Sequence, residues 1–300
     1  MKVHLMTLAA LLCCTMSLLT ACSSDDDIKV GVLHVNINPA KAYLKMDYLD
    51  EASSFLKKQT LGVDLLLYDG ENKLVWKDVT NFQQLALMSV DVPNLKKGYY
   101  TLVAVQQIYS ENNQGLWMLE DEESLTTFRV MSERFPLPDY ALLAIDRQPV
   151  AIDGDATINV TPQSMGSIVT FAYNGLPDHI ECEEVFLSTT NRARGLWMDP
   201  ARSGDEQLWR DEDAAEGLPY YLAQIVGEEG HRPPESSRQA VFTIDRGTQQ
   251  TGMGFTDDYY LEDTRVDFHF EPWQHYYFIY SFSQPEGQRW SCGTGKLLQR

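Results

Sequence analysis

Little in this sequence points to chemistry. There is no Gly-x-Ser-x-Gly elbow to expose a nucleophilic serine and no glycine-rich phosphate loop. Cysteine is scarce: of 5 in the chain, Cys13, Cys14 and Cys22 lie near the start, and only Cys182 and Cys292 lie in the body. Paired-thiolate zinc spacing is therefore absent. Two cysteines cannot build a disulfide framework, so this pair either forms one bridge or stays as two free thiols. Positive charge is scarce as well. With 24 Lys and Arg against 43 Asp and Glu, the net charge is −19. A body this acidic is repelled by nucleic acid and by anionic lipid surfaces. Nucleic acid is excluded as a partner. No apolar run reaches the roughly twenty unbroken residues that would span a bilayer.

What is present begins with an address. Lys2 precedes an apolar run from Leu5 to Leu19 that ends in small residues before Cys22. A positive start, a short apolar core and a small-residue cleavage site make a secretory signal. Leu18-Leu19-Thr20-Ala21-Cys22 resembles a bacterial lipobox, in which the cysteine is acylated and becomes the first residue of the mature chain. On that reading residues 1–21 are removed, Cys22 carries the lipid, and residues 22–29 form an acidic linker. Two or more acyl chains anchor stably where one does not. Ser23-Ser24-Asp25-Asp26-Asp27 resembles the export signal that sends Bacteroidetes lipoproteins to the outer face of the outer membrane. A solvated linker start is the plainer reading of those aspartates.

The body reads as mostly β. Val30 to Ile37 alternates, with Leu33, Val35 and Ile37 on one face and His34 and Asn36 on the other. Leu44, Tyr48, Ala52 and Phe55 recur at helical spacing within 41–58, so a short amphipathic helix is expected there. Val63 to Tyr68 is an aliphatic strand; Asp69-Gly70 turns it toward a hairpin partner at Lys73 to Lys77. Leu85 to Val92 is extended and interrupted by Pro93. A turn at Asn94 to Gly98 leads into a strand from Tyr99 to Gln106. Short strands at Leu116 to Leu119 and Thr126 to Met131 flank an acidic loop, and Ala156 to Val160 closes this half.

Thr161 to Gly166 has linker composition, which divides the body into residues 30–162 and 163–300. The second half has strands at Ser167 to Tyr173, Val185 to Thr189, Gln239 to Ile244, Val266 to Phe270 and Tyr276 to Phe282. Residues 191–237 form a polar insert, read as largely surface loop with a strand near Leu218 to Val226. Each half turns into a double-tyrosine strand, at Tyr99-Tyr100 and Tyr276-Tyr277. Short strands at regular spacing indicate two tandem sandwiches. Gly115-Leu116-Trp117-Met118 recurs as Gly195-Leu196-Trp197-Met198, at different places in the two halves, which reads as coincidence.

Candidate chemistry is thin. His269 and His275 flank a Pro-Trp turn but lack a third ligand, and are expected to be strand-end histidines rather than a metal pair. The acidic clusters at Asp121, Asp211 and Asp257 lack the glycine-punctuated spacing of a calcium loop. No metal, cofactor or enzyme activity is expected. Tryptophan remains: Trp76, Trp117 and Trp197 lie in strand-like context and are expected to fill cores, whereas Trp209, Trp273 and Trp290 lie in loop-like context, where exposed rings could stack on a glycan.

Beyond the lipobox, Val63-Asp-Leu-Leu-Leu-Tyr-Asp-Gly70, Lys73-Leu-Val75 and Val92-Pro-Asn-Leu-Lys-Lys-Gly-Tyr-Tyr-Thr-Leu-Val-Ala104 carry a resemblance. The chain resembles the Bacteroidetes fimbrillin superfamily, and within it the minor-fimbrium anchor family. Asp139 to Ala144 and Thr157 to Val169 fit where such proteins pass from the first sandwich to the second; the 191–237 insert departs from their pattern. The resemblance implies an all-β body of two tandem transthyretin-like (Ig-like) sandwiches. It also implies a lipid-tethered structural subunit of a surface fimbria, with other fimbrial subunits as partners through β-strand complementation. Polymerising members lose an N-terminal strand after a basic residue. Here Lys29 precedes Val30, Arg129 is read in a strand and Arg147 in a loop, and none is identified as a maturation site. The alternative is a surface glycan-binding lipoprotein of a polysaccharide-uptake system.

Overall fold

The computed structural model describes residues 30–39, 60–82, 88–109, 115–132, 137–138, 143–174, 182–189, 193–210, 219–224, 239–244, 247–255, 266–271, 274–283 and 291–299. The first half holds β1 (Val30–Ile37), β2 (Thr60–Tyr68), β3 (Leu74–Phe82), β4 (Met88–Lys96), β5 (Gly98–Tyr109), β6 (Met118–Glu120), β7 (Arg129–Met131), β8 (Leu137–Pro138), β9 (Ala144–Ile152) and β10 (Ala156–Val160). There follow β11 (Gln163–Ser164), β12 (Ser167–Asn174), β13 (Cys182–Thr189), β14 (Ala193–Trp197), β15 (Leu208–Arg210), β16 (Pro219–Gln224), β17 (Gln239–Thr243), β18 (Gly247–Phe255), β19 (Val266–Phe270), β20 (His275–Ser283) and β21 (Ser291–Gln299). Among the described residues helix is confined to one 3-10 turn at Gly204–Gln207. The helix expected within 41–58 lies outside the described residues.

The first sandwich packs a three-stranded sheet, β10-β1-β4, on a five-stranded sheet, β11-β9-β5-β2-β3. Leu33, Val35 and Ile37 from β1 meet Val63, Leu65 and Leu67 from β2 and Leu102 and Ala104 from β5 in one dry core. The five-stranded sheet is covered on its other face too, where Leu66, Tyr68, Val103 and Val105 enter a second core. Burial on both faces explains why β2 and β5 read as near-continuous apolar runs instead of alternating ones.

Two details differ from expectation. β4 runs through Pro93, because it is an edge strand and the proline lies beside a register shift between Gly31 and Leu33, where no ladder donor is needed. Lys97 alone turns the chain from β4 into β5 of the other sheet, and the Tyr100 hydroxyl braces that corner by donating to the Lys96 carbonyl (2.8 Å). Arg147, expected in a loop, lies in β9. Its strand hides in the sequence because Asp146-Arg147-Gln148-Pro149 is polar. The polar groups are used, however: Asp146 accepts the Thr161 N–H (2.7 Å) and Gln148 donates to the Asn159 carbonyl (2.9 Å).

The second half has two sheets, β21-β20-β12-β17-β8 and β16-β13-β18-β19. β18 and β21 carry glycine and polar residues in place of an apolar alternation, so neither is visible in the sequence. The 191–237 insert is not all loop. Its first part forms the β14-β15 hairpin, which pairs with the β6-β7 hairpin of the first half into a sheet ordered β15-β14-β7-β6. β8 also pairs with β17, and β11 with β9, so among the described residues hydrogen-bonded strands cross between 30–162 and 163–300 at three places.

Candidate assembly interface

Under a strand-complementation reading the decisive segment is β1. It lies between two neighbours, parallel to β10 (Leu33 opposite Ala156 through Ile37 opposite Val160) and antiparallel to β4 (Val30 opposite Lys96 through Ile37 opposite Met88). Its side chains Leu33, Val35 and Ile37 are wholly enclosed, and its outer face is tied laterally by His34 Nδ1 to Asp91 (2.7 Å) and by Asn36 Nδ2 donating to Asn159 Oδ1 (3.1 Å). The β4, β9 and β3 edges of this sandwich are poor templates for an incoming strand. β4 carries Pro93 and Lys96, β9 carries Pro149, and the outer edge strand β3 carries Lys77 and Asp78. β10, at the other edge of the three-stranded sheet, carries neither proline nor a charged residue.

Where the halves meet, the shared antiparallel sheet turns Leu119, Val130, Leu196 and Leu208 inward and Glu120, Arg129, Trp197 and Trp209 outward. The Arg129 guanidinium lies 5.8 Å from the Trp197 ring centroid and 5.3 Å from that of Trp209, and Arg202 stacks on Trp197 at 4.1 Å. Glu120 holds Arg129 in place (2.8 Å). Trp117 fills the core as expected and meets Phe242 of the second half edge-on, with centroids 6.1 Å apart. Trp197 does not fill a core, and Trp209 lies in β15, not in a loop: both are half-buried and engaged by cations. The repeated Gly-Leu-Trp-Met inverts its facing, with Trp117 buried in one copy and Met198 in the other, in keeping with coincidence. Arg147 Nη1 donates to the Met198 carbonyl (2.9 Å), and burial lowers its guanidinium below the usual range, partly opposed by Asp199.

The remaining site residues fall as follows. Cys22 and Ser23, Ser24, Asp25, Asp26 and Asp27 lie outside the described residues, as do Trp273, Trp290, Asp211 and Asp257. Cys182 opens β13 and Cys292 lies in β21, in different sheets; His269 and His275 likewise fall in β19 and β20, in different sheets. No group of metal-ligating side chains occurs among the described residues. One cluster escaped the sequence reading, although an aspartate inside an aliphatic run was its signal. Asp64 on β2 is buried and accepts a short hydrogen bond from the Tyr109 hydroxyl and another from Gln107 Nε2 (3.0 Å), while Gln107 Oε1 accepts the Trp117 N–H (2.8 Å). Burial raises the Asp64 carboxyl above its ordinary value, with the Tyr109 and Gln107 bonds acting against it.

No protein-family model matches the sequence. A search of curated proteins finds no relative. Solved structures do match. The fimbrial anchor protein Mfa2 from Porphyromonas gingivalis superposes with a TM-score of 0.51 at 13% identity, covering 89% of this chain and 97% of that one. This chain has its fold. A protein of Bacteroides thetaiotaomicron proposed to be an adhesin gives 0.53 at 12% identity, covering 89% and 97%. Another from the same organism, proposed to bind polysaccharide, gives 0.52 at 15%, covering 85% and 92%. At these identities the likeness is one of fold, and the all-β, two-sandwich architecture expected from the sequence is the one found.

Proposed function

We propose that the chain is a structural subunit of a surface fimbria, tethered to the outer membrane through acyl chains on Cys22, with Ser23 to Asp27 as its export signal. Its partners are other fimbrial subunits, met by β-strand complementation, and its role is mechanical, not catalytic. The observation that carries this reading is the seating of β1. The strand begins eight residues after Cys22 and is already enclosed between β4 and β10. A linker that short reaches at most about 29 Å, so the first sandwich stands next to the membrane. The division into 30–162 and 163–300 then separates a membrane-side sandwich from a distal one available to a neighbour. A bridge between Cys182 and Cys292 would join two sheets of that distal half; alkylation with and without reductant reads it.

The test is metabolic labelling with a clickable palmitate in the producing cell. Label is expected on the wild type and lost in Cys22→Ala, protease added to whole cells is expected to digest the protein, and fimbrial shaft subunits are expected to co-purify with it. An unlabelled wild type, or one that protease never reaches, refutes the reading. The outward Trp197 and Trp209 favour a second reading, a glycan-binding lipoprotein, for which retardation in glycan affinity gels must be lost in Trp209→Ala. The guanidiniums of Arg129 and Arg202 already stacked on these rings weigh against it.

A further inference from the structure

The membrane-side end of β1 is closed by a feature that neither the fold nor its relatives' names assign. Between Gly31 and Leu33 the ladder to β4 is broken by a register shift, and the ladder to β10 starts only at Leu33. The Val32 N–H that falls in this gap is taken by the Asp155 carboxylate (3.0 Å), from the turn that joins β9 to β10. The same turn leans on the strand from above. A Cβ on Gly31 would lie 2.0 Å from the Gly154 carbonyl oxygen, so only glycine lets the two backbones approach, and Gly154 itself sits at φ +123°, a conformation open to glycine alone. Val30, the next residue toward the linker, is exposed.

We propose that the turn at Asp153 to Asp155 is a latch that holds the N-terminal end of β1 in its slot. It keeps the strand nearest the linker from being displaced by a strand of another subunit. The assignment of that linker as a membrane tether rests on the function proposed above; the latch itself does not. One consequence concerns Lys29. Proteolysis there severs the linker but leaves β1 seated, so it opens no groove in the first sandwich.

Hydrogen exchange read by mass spectrometry on the mature chain in detergent tests this directly. Asp155→Ala is expected to speed exchange of the amides in residues 30–33 by about three- to tenfold, the loss of one exposed hydrogen bond. Amides of β2 and β5 should keep their rates. Asp155→Asn, which retains an acceptor oxygen, should restore the wild-type rate. In a second arm, a labelled peptide of the Val30–Ile37 sequence should be taken up several-fold faster by the Asp155→Ala chain than by the wild type. Wild-type exchange in Asp155→Ala, failure of Asp155→Asn to restore it, or equal peptide uptake by both chains overturns the latch. None of these readouts involves lipid, cells or fimbriae, so a failed palmitate label and a failed latch are separate results.

Discussion

Cutting the chain at the expected boundary asks how far the first sandwich depends on the second half. In the full chain the outer face of the five-stranded sheet is covered by Ile168, Leu196, Met198, Leu208, Phe242 and Ile244, all from beyond residue 162. Fully burying a side chain of this size contributes about 1.5–3 kcal/mol. Stripping that cover re-exposes Leu66, Tyr68, Val103, Val105, Phe128 and Val130 of the first half, and six side chains of this size amount to roughly 9–18 kcal/mol, an upper figure because each stays partly covered and unfolded chains already hide some apolar surface. A whole domain is stable by only about 5–15 kcal/mol. Cover from the second half is thus as large as the net stability of a whole domain. Residues 22–162 expressed alone are expected to lack a cooperative unfolding transition and to bind a hydrophobic dye through the face around Trp117, Phe128 and Val130. Circular dichroism melts and dye fluorescence measure this. A soluble monomer of residues 22–162 with a sharp transition and slowly exchanging amides in β2 and β5 would refute the reasoning and make the first sandwich an autonomous domain.

Three further outcomes follow from local geometry. Asp64 binds its proton more tightly in the folded chain than at its unfolded value of 3.8. Its contribution is therefore fully present below that value and is lost as pH rises through the raised folded pKa. Urea midpoints of Asp64→Asn should consequently fall less than those of the wild type between acid and neutral pH, and parallel curves would contradict this. Gly195→Ala places a Cβ 2.4 Å from the Val130 carbonyl oxygen, where backbone must move, and is expected to cost about 1–3 kcal/mol in denaturant unfolding; Gly70→Ala, whose nearest neighbour is 3.6 Å away, serves as control. Trp117→Ala should cost about 3–5 kcal/mol, as deletion of a fully buried ring does. Trp209→Ala should cost much less, since its ring is half-buried and held by a cation at about 0.5–1 kcal/mol.

Residues that alternate were legible in the sequence, and residues used at junctions were not. β1 announces itself because apolar and polar residues alternate from Leu33 to Ile37, and β20 because an aromatic stands at every second position from Tyr276 to Phe282. β9 is hidden because Asp146, Arg147 and Gln148 each satisfy a partner outside the strand, and pattern reading sees only their polarity. β14 and β15 are hidden for a related reason. A five-residue and a three-residue strand are too short to show a period; β14 becomes a strand because β7 lies alongside it, and β15 because β14 does. The same holds for Trp197 and Trp209, whose surroundings were decided by Arg129, an arginine distant in sequence. The latch residues are of this kind too: Gly31 and Asp155 are ordinary until the register sets them side by side.

Under the tether proposed at Cys22, the place of β1 at the centre of a sheet has a mechanical consequence. A strand at an edge, pulled from one end, can peel away one hydrogen bond at a time. β1 has a ladder on each side, and Leu33, Val35 and Ile37 must leave a closed core before it can move along its axis. Force entering at Val30 from the linker first meets the Asp155 bond to Val32 and the Gly31–Gly154 contact. It then loads both ladders together, so release follows the unfolding rate of the sandwich instead of the fraying of its first residues. An anchor needs that behaviour from the strand beside its lipid, and a subunit that surrenders its N-terminal strand to a neighbour needs the opposite. Within the proposed fimbrial role, the closed end of the β1 slot accordingly fits a terminal, membrane-side position better than one within the shaft.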